Sequence, residues 1–138
     1  MSGFNDQIIS EFRANGGRVE TGGFGSSLVL LHTIGAKTGE ERISPVMAIA
    51  PDAASWLIVA SAAGAPRNPA WYSNLRANPE VAIESGSDVV EVLATELTGS
   101  EYDDAWNAFV SRSPGFDDYK KRVNGARHIP VLRLTRRS

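Results

Sequence analysis

The chain has 138 residues, enough to bury one core without staples, so a single domain over 1–138 is expected. Hydrophobic residues at 42% and charged residues at 22% exclude a disordered chain, and a net charge of −2 with a pI near 5.7 excludes a global field that would gather nucleic acid or anionic membrane. The absence of cysteine removes disulfides, thiolate nucleophiles and thiolate metal sites.

Phe4, Ile8, Ile9 and Phe12 fall at helical spacing and Gly16-Gly17 supplies a stop, which predicts an N-terminal helix within 1–17. Gly22, Gly23, Gly25, Ser26 and Ser27 then lead into 28–34, a strand rich in aliphatic residues. Its run Leu28-Val29-Leu30-Leu31 is too short for stable membrane insertion. Asn5, Asp6 and Glu11 stand where a signal peptide would be apolar, and the expectation is a soluble, cytoplasmic protein. Residues 35–41 read as a polar turn, and 42–50 alternates Ile43, Pro45, Met47 and Ile49 against the other parity, completing a hairpin. A third strand at 56–60 should pair with its predecessor. Pro69 at a first helical position begins a short helix with Trp71, Tyr72 and Leu75, which Asn78-Pro79 ends.

Strands at 81–85 and 89–97 flank Ser85-Gly86-Ser87-Asp88, the turn of a second hairpin. Ser100 opens a helix that places Tyr102, Ala105, Trp106 and Phe109 on one face; another helical stretch follows Pro114, and 129–134 is a last strand before a basic tail. Six strands, two hairpins and no regular strand-helix-strand alternation disfavour a parallel doubly wound sheet. The expected class is α+β, mainly β: an antiparallel barrel over 28–135 with inserted short helices.

Familiar catalytic patterns are missing. His32 and His128 belong to no metal spacing, so no metal is expected, and His32, beside an aliphatic strand, reads as a hydrogen-bonded core or rim residue. Gly25-Ser26 lacks the surroundings of a nucleophile elbow. Two stretches carry more chemistry. Gly35-Ala36-Lys37-Thr38-Gly39 with Arg42 puts two cations, a hydroxyl and backbone N–H groups on one turn able to hold a phosphate or carboxylate, although such a turn is often merely solvated. Ala60-Ser61-Ala62-Ala63-Gly64-Ala65-Pro66 leaves a strand with almost no side chain before Trp71 and Asn74, which suits a flat heteroaromatic ligand; the alternative is a tight loop under core aromatics.

The order Gly35-Ala36-Lys37-Thr38-Gly39, Arg42, Pro45, then Ala60-Ser61 and Gly64-Ala65-Pro66, then Asn68-Pro69-x-Trp71-Tyr72-x-Asn74-Leu75-x-Ala77-Asn78-Pro79 resembles the deazaflavin-dependent nitroreductase family of actinobacteria. Glu11-Phe12-Arg13-Ala14-Asn15-Gly16-Gly17, Pro114-Gly115-Phe116-x-x-Tyr119 and Ile129-Pro130-Val131 extend the likeness over nearly the whole chain. The resemblance implies a split β-barrel that binds coenzyme F420, an 8-hydroxy-5-deazaflavin with a phospholactyl and polyglutamate tail. It implies that the tail lies at Lys37, Thr38, Gly39 and Arg42, and the ring on Ala60, Ser61, Ala62 and Gly64, with Pro45, Trp71 and Asn74 bordering the ring or bracing the loop.

It further implies an acceptor pocket of Met47, Ser113, Phe116 and Tyr119, with Ser61 and Tyr119 as the catalytic side chains and Tyr119 the candidate proton donor. Met47, Ser113 and Phe116 depart from the tyrosine-lined pocket of the member that activates nitroimidazole drugs, and Ala62-Ala63 replace a longer polar residue and a glycine. The implied activity is hydride transfer from reduced F420 to a quinone, enone, nitro or similar planar electrophile. A non-catalytic carrier of deazaflavin, or of flavin mononucleotide (FMN) or haem, is the alternative, and barrels of this kind often form homodimers.

Overall fold

Strand alternation decides what each element buries. The computed structural model describes residues 4–21, 25–26, 28–52, 54–60, 69–112 and 129–137. They form α1 (Phe4–Ala14), β1 (Leu28–Ile34), β2 (Glu41–Asp52), β3 (Ser55–Val59), α2 (Ala70–Ala77), β4 (Glu80–Ser85), β5 (Asp88–Glu96), α3 (Gly99–Arg112) and β6 (Val131–Arg136). The strands close into an antiparallel barrel in the order β1-β2-β3-β6-β5-β4, with β4 returning to β1 through Leu31 opposite Ile83. Among the described strands, closure leaves none at an open sheet edge.

One parity of each strand fills the interior, where Val29, Leu31, Val46, Ile58, Ile83, Val92, Leu132 and Leu134 pack together. The other parity is covered from outside on β1, β2 and β3, while on β5 it leaves Val89 and Leu93 exposed. Ile8 and Phe12 of α1 pack on Leu28 and Leu30, with Ile43 and Met47 beside them. Tyr102, Ala105, Trp106 and Phe109 of α3 pack on Ile49, Leu57, Val59 and Val131. The alternation of Ile43, Met47 and Ile49 along β2 thus marks a face that helices bury, while Val46 and Ala48 face the barrel's inside. The third helix, α2, sends Tyr72 and Leu75 into the interior cluster and so closes one end of the barrel.

Most expected elements fall where the sequence places them, with two local corrections. Pro69 precedes the helix, at φ −64° and ψ 152°, and α2 begins at Ala70. Its ring permits that φ, but the extended ψ leaves it outside the helical turn. The last strand begins at Val131 instead of 129, because Pro130 has no N–H to give a ladder; its carbonyl accepts from the Ala60 N–H at 2.9 Å. The helical stretch expected after Pro114 lies outside the described residues. Among those described, no helix is long and apolar enough to cross a membrane.

His32, on the outer face of β1, sits between two carboxylates: Nε2 lies 2.7 Å from Glu84 Oε2 and Nδ1 3.2 Å from Glu41 Oε2. Glu84 also accepts from Arg13 Nε at 3.1 Å and Nη2 at 2.7 Å, a forked pair that ties α1 to β4. The Arg13 guanidinium, with help from His32, holds the Glu84 carboxyl below the usual carboxylate range. A lowered folded pKa contributes stability above the unfolded value and loses it as pH falls through the folded one. Unfolding free energy should therefore fall below about pH 4 less steeply in Glu84→Gln than in the parent chain. Arg13 is half exposed, so the difference should stay near 1 kcal/mol or below. Urea titrations at a series of pH values check this, and parallel curves would contradict it.

Candidate functional site

The site is built on the turn between β1 and β2. Gly35 N–H donates to Glu40 O at 2.8 Å, Gly39 N–H to Gly35 O at 2.9 Å and Glu40 N–H to Thr38 Oγ1 at 3.2 Å, so the turn closes on itself. Gly39 adopts φ 74°, a conformation that glycine takes without strain. Gly35 is required for space: a Cβ there would come within 2.6 Å of Thr38 Oγ1. The expected set of backbone donors is smaller than the sequence suggests, because the turn itself satisfies the amides of Gly35, Gly39 and Glu40 and Asn74 Oδ1 accepts from that of Ala36. Those of Lys37 and Thr38 remain without a partner among the described residues.

Facing the turn is α2. A cavity of about 520 Å³ opens between them, lined by Lys37, Thr38, Arg42 and Ser44 on the barrel side and by Trp71, Ser73 and Asn74 on the helix side. That volume is in the range of small-molecule sites. Lys37 forms no ion pair among the described residues, and Arg42 Nη2 lies 3.7 Å from Glu40 Oε2 with both side chains exposed. The cavity therefore offers two solvent-facing cations, the hydroxyls of Thr38, Ser44 and Ser73, two backbone amides and one aromatic wall. Tyr72, next to Trp71, points the other way, and its hydroxyl donates to Glu96 Oε1 at 2.6 Å. Burial and the adjacent Glu96 carboxylate push that phenol above its ordinary pKa.

A family model for F420H2-dependent quinone reductase matches residues 7–136. The chain belongs to this family. It is an F420H2-dependent oxidoreductase, and its cofactor is coenzyme F420. The F420H2-dependent quinone reductase of Mycobacterium tuberculosis strain H37Rv is 40% identical over 112 residues, covering 79% of this chain and 73% of that protein. A solved F420-H2 dependent reductase superposes with TM-score 0.70 at 35% identity, covering 78% of this chain and 93% of the other. A chain described as a domain-swapped dimer superposes equally well, at TM-score 0.70 and 35% identity, over 78% of this chain and 79% of that one. The haem storage protein HutZ of Vibrio cholerae shares the fold alone, at 12% identity and TM-score 0.58, over 96% of this chain and 90% of that one.

For an F420-dependent enzyme the cavity has the right chemistry: anionic groups of a tail would meet Lys37 and Arg42, and an extended apolar surface would meet Trp71. The structure brings together five of the residues singled out in the sequence, namely Lys37, Thr38, Arg42, Trp71 and Asn74. Gly39 shapes the turn without being among the described lining residues, and neither Pro45 nor Met47 is among them. Pro45 pairs with Leu30 in the β1–β2 ladder, while Met47 is partly buried on the outer face between the α1 and α3 contacts. Ala60 is fully buried in the interior cluster. Ser61, Ala62, Gly64, Ser113, Phe116 and Tyr119 lie outside the described residues. The sequence reading passed over Thr33, Ser44 and Ser73. The first is a lone polar residue at interior parity of β1, which is its only sequence signal; the other two carry none.

Proposed function

We propose that this protein is a quinone reductase whose coenzyme tail is held by Lys37, Thr38, Gly39 and Arg42. The observation that carries the reading is the cavity in which two exposed cations and the turn's amides face Trp71 of α2. When bound, the reduced deazaflavin supplies the hydride. The protein's share is to bind, align and shield. Lys37 and Arg42 give charge-assisted bonds to phosphate and carboxylate oxygens. The side-chain-poor loop that follows the buried Ala60, with Ser61, Ala62 and Gly64, accepts the ring, and Pro45, Trp71 and Asn74 border or brace it. Met47, Ser113, Phe116 and Tyr119 form the acceptor wall, with Ser61 orienting the acceptor and Tyr119 donating the proton that accompanies the hydride.

A wall with Met47, Ser113 and Phe116 offers few hydroxyls, so a planar apolar acceptor is held as well as any, whereas a polar nitroimidazole is poorly oriented. Quinones and enones should be turned over faster than bicyclic nitroimidazoles, by tenfold or more in kcat/KM at the order-of-magnitude level. Tyr119→Phe should lower kcat by about tenfold or more if the phenol is the acid. Steady-state oxidation of F420H2 with each acceptor class decides the matter, and faster nitroimidazole turnover would overturn the pocket assignment. Titration with F420, FMN and haem separates this reading from a carrier of another planar cofactor. Pairing of two copies belongs to the same proposal, supported by the neighbour described as a domain-swapped dimer, and is checked by mass in solution.

A further inference from the structure

We propose that Thr33 and Asn74 are positioning residues that preset the anion-binding turn before coenzyme arrives. The proposal deepens the site reading above, since it takes the 35–40 turn as the place of the coenzyme tail.

Thr33 shares its parity on β1 with Val29 and Leu31 and has no exposed surface. A valine would fill the same volume and favour a strand at least as well, so packing does not explain the hydroxyl. Asn74 does: its Nδ2 donates to Thr33 Oγ1 at 3.2 Å, and its Oδ1 accepts from the Ala36 N–H at 3.0 Å. The orientation of this amide is fixed by chemistry. Ala36 N–H can only donate, so the atom facing it must be the oxygen, which leaves the NH₂ group for Thr33. Asn74 is only 8% exposed, and a partner withdrawn from it would leave a buried polar atom unpaired.

The consequence lies in where the two ends of this relay sit. Ala36 immediately precedes Lys37, and its N–H bond holds the Gly35–Ala36 peptide, so the turn is anchored one residue before the lysine. Trp71 and Ser73 share α2 with Asn74, and the same bond sets their separation from the turn. The opposite side of α2 is tied to β5 by Tyr72 and Glu96. The helix is thus a strut across the barrel end, with the Thr33–Asn74–Ala36 relay fixing the cavity's width. A turn held in place beforehand loses less freedom when the tail binds, which strengthens binding without touching the ligand.

Two readouts test this. In the protein without coenzyme, hydrogen exchange at the Ala36 amide should quicken about tenfold or more in Thr33→Val, because Asn74 loses its anchor. The Kd for oxidised F420, followed by its fluorescence, should rise about tenfold, and KM for F420H2 with it, while kcat at saturating coenzyme changes less than about twofold. Thr33→Ser, which keeps the acceptor oxygen, should restore both. Thr33→Ala removes the same oxygen without burying a new methyl and carries the test should the valine variant not fold. Ile58→Val is the control for general loosening, since it trims the interior cluster on β3, a strand that does not pair with β1. An equal rise in Kd in Ile58→Val, or no rescue by serine, overturns the proposal. Unchanged binding in Thr33→Val beside weakened binding in Lys37→Ala overturns the relay and leaves the turn as the tail site. Unchanged binding in both overturns the turn and the relay together.

Discussion

Replacing Lys37 by alanine should weaken F420 binding by about 1.5–3 kcal/mol, roughly ten- to a hundredfold, with little change in folding stability. The argument rests on position. Lys37 lines the cavity, makes no ion pair among the described residues, and stands on a turn whose own hydrogen bonds do not involve its ammonium group. Removing it therefore removes a ligand contact and nothing that holds the fold. Arg42→Ala should cost less, because Glu40 already lies 3.7 Å from its guanidinium and competes with an incoming anion. For the same reason Glu40→Gln should tighten binding a few-fold, on the scale of an exposed ion pair of up to about 1 kcal/mol. Affinity in the parent chain should fall as salt rises from about 0.05 to 0.5 M, since the cations face solvent, and the slope should flatten in Lys37→Ala. Fluorescence titrations at several salt concentrations measure all of this. An affinity insensitive both to salt and to the lysine would place the tail elsewhere.

The barrel was legible because its strands announce themselves by alternation and its turns by glycine and proline. Residues 28–34 were expected as a strand and are β1. The limits that moved did so where one backbone donor decides, as at Pro130, which periodicity does not register. The alternation on β2 revealed a buried face, yet which face was inside could not be read. Ile43 and Met47 are covered by α1, a helix separated from β2 by the whole of β1, whereas the interior is filled by the shorter Val46 and Ala48.

The candidate site was legible for a different reason. Lys37 and Arg42 are close in sequence, and a hairpin brings them together whatever the rest of the chain does. Trp71 and Asn74 enter the same cavity only because α2 is laid over the barrel end, a long-range arrangement that local pattern cannot supply. The residue resemblance supplied it instead. Thr33 escaped both routes: a threonine within an aliphatic strand is ordinary, and its importance appears only once Asn74 is seen above it. His32 was read as a hydrogen-bonded core or rim residue, and its two carboxylate neighbours on β2 and β4 bear out the hydrogen bonding.

The largest loss of stability is expected from Phe109→Ala. Phe109 has no exposed surface and is the most deeply buried side chain of α3, packed among Leu57, Val59, Ile129 and Val131 on the outer face of β3 and β6. Truncation removes the transfer energy of the ring and leaves a cavity that two paired strands cannot collapse to fill, which puts the cost at about 3–5 kcal/mol. For a chain of this size that is a large share of the total stability. Among the described residues the helix reaches Arg112, so its docking fixes the chain just before the segment proposed to carry Ser113, Phe116 and Tyr119. Two effects should then separate. Urea unfolding of Phe109→Ala should show a lowered midpoint, and in the fraction that remains folded KM for a quinone acceptor should rise several-fold while the Kd for F420 changes little, because the tail turn lies on β1 and β2. Loss of coenzyme affinity in step with acceptor affinity would mean that α3 supports both sites alike, and that the acceptor wall is not a separate surface. An unfolding free energy within about 1 kcal/mol of the parent would show that the strands can close over the vacated space.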